Sequence, residues 1–209
     1  MTKAKTNEVV TIKAPNIQMA TFNLVGTAPF VMNKFSRKAR EEMHANQAAG
    51  SQAKSKKKRE PKDFDAAYEQ AFHRSEDGWI GIPAPSFRAA MIDACRLVGF
   101  KMTLAKQAVF IVHDGLDADE GTPLVKLEAG EPEKYESLVR NATGVPDIRV
   151  RPMWRRWGAQ LTVRFDADVF SRNDVANLLA RAGLQVGVGE GRPFSKNSAG
   201  QGWGTFELR

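Results

Sequence analysis

Residues 161–208 run LTVRFDADVFSRNDVANLLARAGLQVGVGEGRPFSKNSAGQGWGTFEL, and their reading decides the fold. Leu161, Val163 and Phe165 alternate with Thr162, Arg164 and Asp166, the period of a half-buried strand. Ser171 stands where a helix N-cap belongs, with Asp174 three residues on as its capping-box partner. Val175, Leu178, Leu179 and Ala182 give that helix an apolar face. A glycine-rich loop follows over 187–202, and residues 203–208 close the chain as a strand.

Working outward, residues 18–25 alternate in the same way, with Ala20, Phe22 and Leu24 opposed to Met19, Thr21 and Asn23. Gly26, Pro29 and Asn33 then punctuate the chain. A polar helix is expected over 35–46 and a low-complexity stretch, AAGSQAKSKKK, over 48–58. Phe64, Ala67, Tyr68, Ala71 and Phe72 fall at helical spacing. A short extended segment at 78–83 leads to a helix with Ser86 as N-cap, carried by Phe87, Ala90, Met91, Ala94 and Leu97 and ended at Gly99. Residues 108–112 read as a buried strand, and 124–127 with 148–151 as one hairpin.

The resulting order is βαββαβ. The expected fold is α+β and ferredoxin-like, an antiparallel sheet with two helices on one face and the other face open. One domain over 1–209 carries a large basic insertion, 30–80, between first strand and first helix, partly helical and partly mobile.

The formal net charge is +7. Ten basic residues against three acidic ones lie between Lys34 and Lys62, so that segment alone carries the whole excess. Lys34, Arg37, Lys38, Lys56, Lys57, Lys58 and Arg59 therefore read as a phosphate-binding arm, because clustered cations release counterions from a polyanion. The other reading is a solvated linker. Hydrophobic residues, at 42%, suffice for a core. The lone Cys95 sits in an apolar helical pattern and points to a reducing compartment. No apolar run approaches the roughly 20 residues of a membrane span, and the N-terminus lacks a secretory core, so a cytoplasmic protein with no membrane partner is expected.

Two motifs carry chemistry. In the glycine-rich loop, Gly187, Gly189, Gly191, Gly202 and Gly204 let backbone amides approach a phosphate that Arg192 and Lys196 neutralise. The alternative is a flexible loop with Gly183 as a helix C-cap. Rossmann and P-loop readings fail, since those motifs follow a strand and precede a helix. The second motif is RVRPMWRRW, residues 149–157. Arg149 and Arg151 share a strand face, Arg155, Arg156 and Arg164 add charge, and Trp154 and Trp157 are candidates for stacking on bases. Here the alternative is buried tryptophans with arginines paired to the acids of 114–136. Phe30 and Phe35 are weaker stacking candidates. His44, His73 and His113 form no pair fixed by spacing, so no catalytic residue is assigned. No zinc or calcium ligand spacing is present, and no cofactor is expected.

A βαββαβ chain with hydrophobic-Gly-x-Gly, a basic residue and a second Gly-x-Gly before its last strand resembles the RAMP superfamily, the ferredoxin-like RNA-binding and RNA-processing proteins of CRISPR systems. The resemblance covers most of the chain in topology and about the last quarter in motif. It departs in spacing, with twelve residues between Gly189 and Gly202. It implies a nucleic-acid-binding fold, in a CRISPR-type subunit or a phage or mobile-element relative. The expected partner is single-stranded RNA or DNA, bound without cleavage by a homo-oligomer or ribonucleoprotein subunit. The rivals are an assembly module whose basic arm binds an acidic protein, and a metal-independent ribonuclease using His44 or His73.

Overall fold

Period-two alternation at both ends of the chain builds the central strands, and helical apolar stripes cover one side of them. The computed structural model describes residues 12–35, 37–48, 50, 62–140, 146–194 and 200–209, the side chains of Lys38 and Arg140 excepted. The elements in chain order are β1 (Ile17–Gly26), β2 (Phe30–Val31), α1 (Arg37–Ala48), α2 (Phe64–Glu69), β3 (Gly81–Pro83), α3 (Ala84–Ala94), α4 (Met102–Ala108) and β4 (Val109–Val112). There follow β5 (Gly115–Leu116), β6 (Pro123–Lys126), β7 (Glu133–Arg140), β8 (Pro146–Trp154), β9 (Gly158–Asp166), α5 (Arg172–Arg181) and β10 (Phe206–Leu208). The chain is α+β with antiparallel sheets.

The main sheet has the order β10-β1-β9-β4. Its centre is the β1–β9 ladder, which opposes Ala20 to Val163, Phe22 to Leu161 and Leu24 to Ala159. These residues face the core with Val109, Phe165 and Phe206, where α3 and α5 contribute Phe87, Ala90, Met91, Val175, Leu178 and Leu179. Burying each such large apolar side chain stabilises the fold by about 1.5–3 kcal/mol. The opposite face is polar and open to solvent: Thr21 and Thr162 share a 2.9 Å hydroxyl hydrogen bond, and Gln160 donates to Asn23. On the same face Phe110 lies under two guanidiniums, Arg164 at 5.1 Å and Arg88 at 5.2 Å.

Two smaller sheets, β2-β8-β7 and β3-β6-β5, complete the fold. They correct the expected hairpin of 124–127 with 148–151: β6 pairs with β3 and β5, while β8 pairs with β7 and β2. Strand β7, EKYESLVR, shows no alternation to betray it. It forms because eight consecutive residues find partners on β8.

The basic insertion proves to be core at both ends. Phe30, Val31 and Met32 are buried, as are Ala71 and Phe72. Among the described residues of the insertion, neither α1 nor α2 has a buried side chain. Helix α2 stops at Glu69, short of the expected Phe72, whose ring instead meets Tyr68 edge-on.

Helix α3 starts before Ser86, with Pro83 at its N-cap. A 3-10 turn over Cys95–Val98 extends it to Gly99, which is left-handed at φ 66°. The capping box on α5 is complete: the Asp174 amide donates to the Ser171 hydroxyl at 3.1 Å, and the Ser171 amide to the Asp174 carboxylate at 2.9 Å. A π turn, Ala182–Val186, carries α5 on to Gly187. Gly183 is therefore inside this turn and does not terminate the helix. Among the described residues no helix is long and apolar enough to cross a membrane. Replacing Ser171 by Ala should cost about 1 kcal/mol; the urea midpoint should fall while the slope of the transition stays unchanged.

Candidate nucleic-acid interface

Two-residue spacing sends Arg149 and Arg151 from one face of β8, and the glycine-rich loop docks on that face. Glu190 of the loop reaches between them: Arg149 Nη1 lies 3.7 Å from Oε1, and Arg151 Nε 3.2 Å from Oε2. Tyr135, directly opposite Arg151 on β7, meets the Trp203 ring edge-on at 5.2 Å. Two stretches some forty residues apart in sequence thus share one patch with both aromatic rings half-buried.

The loop is held by its own backbone. Its amides at Gly187, Val188, Glu190, Trp203 and Gly204 donate to the carbonyls of Ala182, Gly204, Val31, Gly191 and Pro29. Arg192 donates to the carbonyls of Gly189 and Phe194. Two glycines are sterically required. At Gly204, left-handed at φ 65°, a Cβ would sit 1.7 Å from the Val188 oxygen; at Gly189, φ 81°, it would enter the Phe30 ring. Gly187, Gly191 and Gly202 also have positive φ. The amides of Gly187 and Gly204 and the Arg192 guanidinium are therefore engaged within the chain, which corrects the expected cradle at those residues, while the space beside Gly202 is open.

Trp154 and Trp157 are corrected as well. They are 2% and 4% exposed, and their indole N–H groups donate to the carbonyls of Gly130 and Ala28. A base has no access to either ring. Strand parity explains Trp154, which shares its face with the buried Val150 and Pro152, opposite to Arg149 and Arg151. The half-buried aromatic rings beside Arg149 and Arg151 are instead Trp203 and Tyr135, which the sequence reading missed. The signal for Trp203 was its place between two glycines, outside any apolar period.

Arg155 is exposed and pairs with Glu133 at 2.7 Å, one of the acids named as an alternative partner. Arg156 is exposed on the same turn, and Arg164 stands apart on the open face of the main sheet. Arg37 pairs with Glu41 one helical turn away. Phe35 is exposed, whereas Phe30 is buried between the tryptophans. Lys56, Lys57, Lys58, Arg59 and Lys196 lie outside the described residues, as does the side chain of Lys38.

Lys34 is no phosphate ligand. Its ammonium is buried and donates to Asp117 and Asp119, both at 2.7 Å. The other oxygen of Asp117 faces Nδ1 of His73 at 2.9 Å. A carboxylate only accepts, so Nδ1 carries the proton. Burial pushes the His73 ring below its ordinary value of 6.5, although Asp117 pulls the other way. Burial also works against the Asp117 carboxylate, but hydrogen bonds from Lys34, His73 and the Asp119 amide hold it below 3.8. Next to this cluster a cavity of about 390 Å³ is lined by Lys34, Arg37, Arg40, His44, Arg74 and Asp119, among others. Arg40 there pairs with Glu120, and Arg74 with Glu69. His113 is exposed, far along the chain at the end of β4.

Both shifts favour the deprotonated form in the folded state, so the unfolded chain binds more protons and stability declines with acidity. His73 starts that decline below pH 6.5, and Asp117 adds to it below 3.8. Melting temperatures followed from pH 7 to 5 should fall in the native sequence and fall less in His73→Gln. Replacing Lys34 by Met should cost about 3–5 kcal/mol, because it strands a buried carboxylate; a chemical denaturation curve within 1 kcal/mol of the parent would rule this out.

Neither the protein-family models nor the curated proteins searched contain a match to this chain.

Proposed function

We propose that this chain binds single-stranded nucleic acid without cleaving it, RNA in preference to DNA, with copies assembling along the strand or within a ribonucleoprotein. The observation that carries this reading is the convergence of Arg149, Arg151, Tyr135 and Trp203 where the glycine-rich loop meets β8. Guanidinium forks match phosphate oxygens, and an indole offers a stacking surface to any base. Together they suit a ligand of repeating phosphates and interchangeable bases. The preference for RNA rests on the family likeness alone.

We extend the proposal to the fold. Counting only β1, α3, β4, β9, α5 and β10, the chain order is βαββαβ and the sheet order is fourth, first, third, second. Supported by α3 and α5 on one face, this favours a ferredoxin-like core and a RAMP-type relationship. The open face, with Phe110 under Arg88 and Arg164, offers a second place for a base to rest. Cys95, a buried free thiol, fits the reducing cytoplasm in which we place the protein, away from membranes.

Fluorescence anisotropy of a labelled single strand tests the proposal. Affinity should fall linearly with the logarithm of salt. Replacing Trp203 by Leu should remove roughly 1–3 kcal/mol of stacking, and Arg149→Ala should weaken binding and flatten the salt slope. No binding at low salt, or unchanged affinity in both variants, would falsify it.

A further inference from the structure

Glu190 is the one acidic residue of the glycine-rich loop, and it lies between Arg149 and Arg151 of β8. Each of its two carboxylate oxygens faces a different guanidinium, Oε1 toward Arg149 and Oε2 toward Arg151. A phosphodiester presents its two non-bridging oxygens to such donors in the same manner. We infer that Glu190 is a built-in competitor for a phosphate seat formed by Arg149 and Arg151, so that strand binding proceeds by exchange of its carboxylate for a backbone phosphate. The inference rests on the nucleic-acid reading and adds a regulatory residue to its site.

Three features support exchange over a permanent ion pair. The clasp is accessible, with side chains 35% exposed at Arg149, 22% at Glu190 and 16% at Arg151. The contacts are loose, since Arg149 stands beyond hydrogen-bond reach of Oε1 while Arg151 meets Oε2 at the long end of that range. The Glu190 backbone is fixed by the hydrogen bond its N–H donates to the Val31 carbonyl at 2.9 Å, so the carboxylate can swing away by side-chain rotation with the loop still docked.

Charge sets the direction. Two guanidiniums face one Glu190 carboxylate; the next acid, Asp147, is 4.0 Å from Arg149 and is held by Lys62 at 2.7 Å. Moving Glu190 aside therefore exposes a doubly cationic pair on one strand face. A single small anion gains little over the carboxylate it would displace. A polyphosphate strand, anchored at Trp203 and further cations, brings the phosphate to the clasp at high local concentration.

The test compares the parent with Glu190→Gln and Glu190→Ala, using a labelled single-stranded oligonucleotide and, separately, tripolyphosphate. The Gln variant keeps the shape and removes the charge. Both variants should bind the strand roughly three- to tenfold more tightly, as expected for loss of one like charge beside a partly solvated phosphate. Arg149→Ala added to Glu190→Gln should abolish the gain. If the parent binds the strand and folded Gln and Ala variants bind no more tightly, the competitor role is overturned while the nucleic-acid reading stands. If neither parent nor variants bind the strand but both variants gain tripolyphosphate affinity, the seat stands and the nucleic-acid reading fails. If no variant gains affinity for either probe, the inference is overturned.

Discussion

Phe30 lies between Trp154 and Trp157, its ring centroid 5.8 Å from one and 5.2 Å from the other, and the architecture of the candidate site depends on this contact. Trp157 reaches the main sheet, packing over Gly26 of β1 and edge-on to Phe206 of β10. Trp154 belongs to β8 and meets Phe72, which follows α2. Gly189 lies against Phe30 itself, where any side chain would collide with the ring. One aromatic cluster thus fixes the main sheet, the β7–β8 hairpin and the glycine-rich loop to one another. This buried joint brings a pair of arginines on β8 within a few ångströms of a glutamate on the loop.

Pairing within the chain limits which charges remain available near the site. A buried cation has to be paired, and Lys34 is, by two carboxylates. Around the surface Arg37, Arg40, Lys62, Arg74, Lys134, Arg149, Arg151 and Arg155 each have a carboxylate within ion-pair distance. Exposed pairs of this kind contribute little to stability and are readily exchanged in water. At Arg149 and Arg151 the proposed binding of a strand would then replace the Glu190 carboxylate by phosphate.

Legibility followed the range of the interaction. The alternation of β1 and β9 and the Ser171–Asp174 capping box are local patterns, written within a few residues, and were readable. Strand β7 was not, because its only instruction is the partner strand. The face of Trp154 was legible in principle, since it stands an odd number of residues from both arginines, but composition drew attention to the Arg-Trp adjacency instead. The Lys34–Asp117 and His73–Asp117 contacts join residues 83 and 44 positions apart, and no local pattern announces them. Glu190 and Trp203 were hidden in another way: each is ordinary alone, and only docking of the loop on β8 gives them a common neighbour.

His73 and Asp117 also bear on why binding without cleavage is the reading proposed. A histidine whose Nδ1–H is held by a buried carboxylate is the arrangement of many general bases. Such a base must accept a proton on its other nitrogen as the reaction proceeds, and its surroundings must favour the imidazolium. At His73 burial opposes that charge, and the Lys34 ammonium, bonded to the same carboxylate, opposes it further. The side chain is only 11% exposed, so a substrate hydroxyl has little approach to it. What Asp117 does instead is collect donors from three separate segments: Lys34 after β2, His73 after α2, and the amides of Asp119 and Glu120 in its own loop. A carboxylate satisfied in this way is a clamp, and the chemistry that would make it a proton relay is opposed by the contacts that hold it in place.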